Sequence, residues 1–436
     1  MNSSQTTFAL LSNQLFTPAM MLRSLLLTLL VGLLPFTAAA QFQTLPNMRP
    51  AGQNGIDMFE PPKTDTSEFD GIEINVGGAF AQQLQSISQS NAAGNLPEIG
   101  RGFNLATANL DVNATLAEGI RLHVRTYLSS RHHNDAWVKG GYLQVDELAM
   151  FDSEALDNLM RNVTIRAGHF MPNYGDTHYR RTDNADALQN PFVGNNVLDA
   201  FTTEVGAELT YQSNGFLAVG GFGGELDPTV LNPDERAPSF HAKLGIDRQL
   251  SSMIRVRLTG SAYYTKSSAA AHLHSGDRAG SRYYNVVAGG DWSGRMRSGF
   301  SDQVTSFMVN PFVQIGGLEL FGTIETISGS GAGLSDGSLE QYAAEAIYRF
   351  ADNDLFAGIR YNTASGDLDH SAYNEPPNWT GGNTIDRWQV SAGWFMTKNI
   401  LMKAEYVTQT YEGFPTGSAR KGADFDGLII EGVVSF

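Results

Sequence analysis

The sequence predicts an all-β chain: a transmembrane antiparallel β-barrel of sixteen strands, with long extracellular loops and one loop folded into the lumen. Three observations carry this reading. From Gly71 onward apolar and polar residues alternate with period two, repeatedly, with turn residues between the runs. The runs are about 10 to 13 residues long, which suits strands crossing a bilayer at a tilt, whereas soluble strands average about five or six. The connections also alternate. Tight turns fall at Ala117-Glu118-Gly119, Ser213-Asn214-Gly215, Leu250-Ser251-Ser252, Gly316-Gly317, Ala351-Asp352-Asn353 and Thr397-Lys398-Asn399, and the segments between are long and polar. Short turns on one rim and long loops on the other are the pattern of an outer-membrane barrel.

Taken in order, residues 1–40 read as a signal peptide. Arg23 precedes an apolar run from Leu25 to Phe36, followed by the small residues Ala38 and Ala40, and the polar stretch 1–18 places the true start at Met20 or Met21. Residues 41–70, rich in Pro, Gly, Asn and Thr and without period, read as a flexible periplasmic lead-in. The barrel occupies 71–436. Its strands are expected at 71–84, 102–116, 119–131, 137–149, 162–172, 200–213, 215–225, 238–249, 252–266, 303–315, 317–328, 339–350, 353–364, 384–396, 399–411 and 425–436. An even number returns both ends to the periplasmic side. The strand-like segment 281–292 would put the tight turns on the wrong rim, so it is assigned to an extracellular loop. The stretch 152–159 reads as a short helix capped by Asp152 or Ser153. After residue 40 no apolar run approaches the roughly 18 to 20 residues of a membrane helix.

Each strand then presents one face to lipid and one to the lumen. In "GIRLHVRTYLSSR", Ile120, Leu122, Val124 and Leu128 share the apolar face, and Arg121, His123, Arg125, Tyr127, Ser129 and Arg131 the other. Trp388, Val390, Ala392, Trp394 and Met396 fit a lipid face, with Tyr348, Phe350, Tyr361 and Tyr406 as interface aromatics. Leu428, Ile430, Gly432, Val434 and Phe436 alternate to a terminal phenylalanine, the pattern such barrels present to their assembly machinery.

With 29 Lys and Arg against 45 Asp and Glu, the chain lacks the basic face of a nucleic-acid binder. The absence of cysteine suits a bacterial envelope protein without disulfides. No metal or other cofactor is expected: His132-His133 and His272-x-His274 lack further ligands, and Asp352-Asn353-Asp354 lacks the rest of a calcium loop. No serine carries a flanking nucleophile motif with a histidine partner, so an enzyme, such as a membrane hydrolase, is not the reading.

The segments "VTIRAGHFMPNYGDTHYRR" and "NPFVGNNVLDAFTTEVGAELTY" resemble the phosphate-selective porin (O and P type) superfamily and related outer-membrane porins, with the resemblance spanning about residues 71–436. It implies a sixteen-stranded, often trimeric channel whose lumen carries an arginine ladder.

The residues themselves leave two readings of the lumen open. Arg121, Arg125 and Arg131, spaced about 13 and 20 Å along their strand at a rise of roughly 3.3 Å per residue, with Arg166, Lys243, Arg255 and Arg257, form a cationic track that admits anions. Alternatively they pair with acids on neighbouring strands, namely Glu73, Asp111, Asp146, Glu204 and Glu208, and fill the wall. The loop 173–198, with Tyr174, Tyr179, Leu188, Phe192 and Val193, is expected to fold inward and constrict the pore. Its Tyr174, Arg180, Arg181, Asp183 and Asp186 act either as filter or as a loop-folding network. The expected function is passive diffusion of small hydrophilic solutes through a bacterial outer membrane, with phosphate-like anions favoured where the lumen arginines form the track. The alternative is a structural or secretion-complex barrel with a plugged interior.

Overall fold

The computed structural model describes residues 46–63, 69–104, 106–129, 136–224, 237–266, 273–274, 284–288, 292–300, 302–331, 334–367 and 382–436. Sixteen strands, each antiparallel to its neighbours, close into one barrel. In chain order they are β1 (Glu73–Ser90), β2 (Thr107–Ala117), β3 (Ile120–Ser129), β4 (Ala136–Val145), β5 (Val163–Phe170), β6 (Glu204–Ser213), β7 (Phe216–Gly224), β8 (Ser239–Gln249), β9 (Ile254–Thr265), β10 (Val304–Ile315), β11 (Leu318–Gly331), β12 (Leu334–Phe350), β13 (Leu355–Gly366), β14 (Asn383–Thr397), β15 (Ile400–Glu412) and β16 (Asp424–Ser435). Closure is the pairing of β1 with β16, from Ala79 opposite Ser435 to Ser90 opposite Asp424. With every strand paired on both sides, no backbone edge is left bare to lipid.

All sixteen expected strands are present. The second is interrupted: Gly102–Phe103 pairs with β1 as a separate two-residue piece before β2 begins at Thr107. The turn between β6 and β7 shows why the short rim is short. Asn214 and Gly215 both take positive φ, 50° and 75°, the twist that joins two strands through two residues. The longer β4–β5 connection holds α1 (Glu154–Met160). Ser153 is its N-cap, without a side-chain capping bond, while Asp152 adopts the left-handed conformation (φ 45°) one residue earlier. The described part of 281–292 is loop, with an isolated bridge between Asn285 and Trp292.

The outward face is apolar, as the alternation requires. Trp388, Val390, Trp394, Met396, Tyr348, Phe350, Tyr406, Leu428, Ile430 and Phe436 are all exposed there. The inward face is the unexpected one. On the β10–β16 side, Met308, Ile327, Leu339, Ile385, Tyr411 and Phe425 pack against loop residues Val193, Val197, Leu198, Tyr284 and Phe300. That part of the lumen is therefore a hydrophobic core, not water.

A second filling element corrects the sequence reading. Residues 46–63, expected to be flexible, are packed. Arg121 donates to the Pro46 carbonyl and Gln144 to that of Asn47, and Gln53 N–H reaches the Lys398 carbonyl at 2.7 Å. The segment thus runs from the β3–β4 side of the barrel to the β14–β15 turn. It then seats Asp57, Phe59 and Glu60 against β8–β12 and returns Lys63 to Asp146. Its composition carries no period because its order comes from the barrel around it.

Candidate functional site

The constriction is built from three parts: the inward wall, the loop between β5 and β6, and the strap 46–63. The loop folds in as expected. Tyr174, Asp176, Leu188, Phe192, Val193 and Val197 are all at most 2% exposed. Strand side chains hold it by its own backbone. Lys403 on β15 donates to the carbonyls of Ala187, Asn190 and Phe192 at 2.7–2.9 Å and pairs with Glu431 at 2.8 Å. Glu405 accepts from the amides of Val193 (2.7 Å) and Gly194 (3.2 Å), and Arg360 on β13 donates to the Gly194 carbonyl at 2.9 Å. These bonds help satisfy loop amides and carbonyls that no strand ladder pairs.

The predicted track is brought inward as a set, and each described member is ion-paired. Arg121 meets Asp146 at 3.3 Å. Arg125 binds Asp111 through Nε (2.6 Å) and Nη2 (2.8 Å), and Asp186 of the loop at 3.1 Å. Arg166 pairs with Glu208, which also contacts His241 at 2.8 Å. Lys243 contacts Glu60 (3.1 Å) and Asp176 (3.0 Å), and Arg257 contacts the same two acids and Asp247. Arg255 is bidentate to Asp247. Arg131 lies outside the described residues. Three expected partners, Asp111, Asp146 and Glu208, are present. Glu204 instead accepts from Ser239 and Tyr263.

In the loop set, Arg180 pairs with Asp57 of the strap and lies near Glu319 and Glu345, while Arg181 binds Asp199 at 2.6 Å and lies 3.6 Å from Asp183. The Tyr174 hydroxyl donates to Glu325 at 3.0 Å. Tyr127 and Lys139 both reach Asp183. Arg180, Arg181 and Tyr174 are thus paired with strap, loop and wall acids, whereas Asp183 and Asp186 face the wall of β2–β4.

Loop and strap electrostatics follow from this pairing. Burial alone would raise the pKa of Glu60, but Lys243 and Arg257 prevail and hold it at about 2. Asp176 is lowered in the same way against the same burial penalty. Burial and the neighbouring Lys243 push His178 down to about 3, so it is neutral at pH 7.

Charged side chains reach water at two places. Arg125 and Arg166 have side chains 24% exposed and Asp186 30%, and the Arg255–Asp247 pair on β8–β9 is 23% and 22% exposed, whereas Lys243, Arg360 and Lys403 are at most 2% exposed. The inward residues Asn75, Asn113, His123 and Tyr142 on β1–β4 are likewise only half-buried. Between the loop and the wall, Thr177, Arg180, Arg181, Asn195, Asp199 and Arg360 line part of a small recess with room for about one water.

Sequence reasoning missed Asp57, Glu60, Asp176, Glu319, Glu345, Arg360, Lys403 and Glu405. For the strand members a signal existed: a charged residue at an inward position between two outward apolar ones.

The comparisons bear on the fold. No protein-family model matches the chain, and no curated protein sequence does. Solved structures do. The anion-selective porin of Comamonas acidovorans aligns at TM-score 0.51 and 12% identity, covering 84% of this chain and 100% of its own. The outer-membrane channel DcaP of Acinetobacter baumannii aligns at 0.51 and 11%, covering 85% and 99%. The fold is that of bacterial outer-membrane porins. OmpT, an outer membrane protein of Vibrio cholerae, aligns similarly at 0.50 and 13%, covering 85% and 99%.

Proposed function

We propose that the chain is a porin that passes small hydrophilic solutes passively, through the gap between the inward loop and the β1–β5 wall. The observation that carries this reading is that Arg125, Arg166 and Asp186 reach water beside that gap, whereas the charges that clamp the loop, such as Lys243, Arg360 and Lys403, are buried. Solutes there meet carboxylates on the loop and arginines on the wall. Anion, phosphate-like selectivity rests on Arg125 and Arg166, the members of the track that reach water beside this gap, and their carboxylate partners keep it weak. Assembly as a homotrimer and handling of β16 by the barrel assembly machinery through Phe436 belong to the same reading.

A second reading, a plugged structural barrel, is favoured by the apolar packing of Val197, Leu198, Tyr284 and Phe300 against the wall. Single-channel recording of the purified protein in a planar bilayer separates the two. Discrete conductance steps in KCl support the porin; none, at any voltage, supports the plug.

A further inference from the structure

The strap presents Asp57, Met58, Phe59 and Glu60 in succession, two carboxylates around one aromatic ring, and each of the three groups has its own seat. The Glu60 carboxylate sits 3.1 Å from Lys243 Nζ and 2.6 Å from Arg257 Nη2. The Asp57 carboxylate is paired with Arg180. Between them the Phe59 ring, 1% exposed, lies edge-on to Phe312 at 5.3 Å and to Tyr179 at 5.8 Å, with the Arg257 guanidinium 4.3 Å from its centroid. Cation–ring contacts of this kind gain strength where water is excluded. An acid–aromatic–acid array thus meets a cation–aromatic–cation array.

The two arrays come from different parts of the chain: the ligand side entirely from the strap, the receiving side entirely from loop and strands. Removing the strap takes two carboxylates out of this seat and leaves three cations to two acids in each half: Lys243, Arg255 and Arg257 with Asp176 and Asp247, and Arg180, Arg349 and Arg360 with Glu319 and Glu345. The vacated seat would carry an aromatic slot between unbalanced cations, the complement of a ring bearing two carboxylates.

We propose that this seat is a solute-binding site of the channel, that the strap is its resident internal ligand, and that the solutes it accepts are small aromatic dicarboxylates. The inference rests on the channel reading above and names its solute class.

Two variants test it: the chain lacking residues 46–63, and the intact chain with Asp57→Asn and Glu60→Gln, which retains the strap but weakens its hold. Barrel formation is checked by heat-modifiable migration in gels. The probes are acetyl-Asp-Met-Phe-Glu-amide, its neutral counterpart acetyl-Asn-Met-Phe-Gln-amide, and phenylsuccinate. They are followed by calorimetry in detergent and by current block in bilayers. We expect no binding to wild type. Both variants should take the acidic peptide and phenylsuccinate about tenfold more tightly than the neutral peptide, as expected for two charge-assisted contacts, and phenylsuccinate should cut the deletion variant's current by about half. Equal binding of acidic and neutral peptides overturns the proposal, and so does binding of the acidic peptide without phenylsuccinate, which would make this a strap seat only. Calorimetric binding with no current in any variant would refute the channel and leave the seat standing; current without binding does the reverse.

Discussion

Replacing Arg125 with alanine should move the ion selectivity of the channel toward cations. The substitution removes one positive charge and leaves Asp111 and Asp186, now 2.6–3.1 Å from that guanidinium, without its compensation. For an ion passing about 6 Å away in water the lost interaction is about 0.7 kcal/mol. It acts with opposite sign on cation and anion, so the permeability ratio shifts by up to about tenfold, and by about fourfold once 0.1 M salt screens the site over a Debye length of about 10 Å. The assay is the reversal potential across a KCl gradient in a planar bilayer, wild type against R125A, with Arg125→Ala/Asp111→Asn as the charge-restored control. An unchanged potential, or a shift toward anions, would refute the placement of the conducting gap beside Arg125.

Arg166→Ala should act in the same direction, read by the same potential, because Glu208 then loses its paired cation and keeps His241 and the Asn173 amide. Lys403→Met removes the group that clamps three loop carbonyls and Glu431; breaking so buried a pair costs about 3–5 kcal/mol, measurable as earlier denaturant unfolding in detergent together with noisier conductance. Gly215→Val forces a β-branched residue to φ 75° with its Cβ 2.5 Å from the Asp247 carbonyl, which should lower stability by about 1–2 kcal/mol while leaving selectivity untouched. The strap should respond to acid in one window. The folded pKa of Glu60 lies below its ordinary value, so its contribution is fully present above about pH 4.5 and is lost as pH falls toward 2. Conductance should therefore hold steady from pH 8 to pH 5 and rise below about pH 4.

How much of this was legible in the sequence divides along one physical line. Strand existence and facing follow from period two, because a residue's face is set by its immediate neighbours; hence Arg121, Arg125 and Arg166 point inward as read, and Trp388 and Trp394 outward. Asp111, Asp146 and Glu208 were legible as partners because adjacent strands bring them close. Glu60, Asp57 and Asp176 were not. Their cations lie up to 197 positions away, and nothing local in a segment rich in Pro and Gly announces a seat built by β8–β12. The apolar filling of the lumen was hidden for a related reason. Inward residues such as Ile327 and Phe425 look like breaks in the polar face until the loops that cover them are in place.

The strap also imposes an order of events on the chain's own making. Residues 46–63 emerge from synthesis before any strand, yet Lys243, Arg257 and the Lys398 carbonyl that receive them arrive much later. The clamps on the inward loop are equally distant, with Lys403 lying 216 positions beyond Ala187. Contacts so far apart in sequence cannot form until the intervening hairpins are closed. The strap is thus made before its seat, and it takes its place only once the strands and turn that build that seat have followed it.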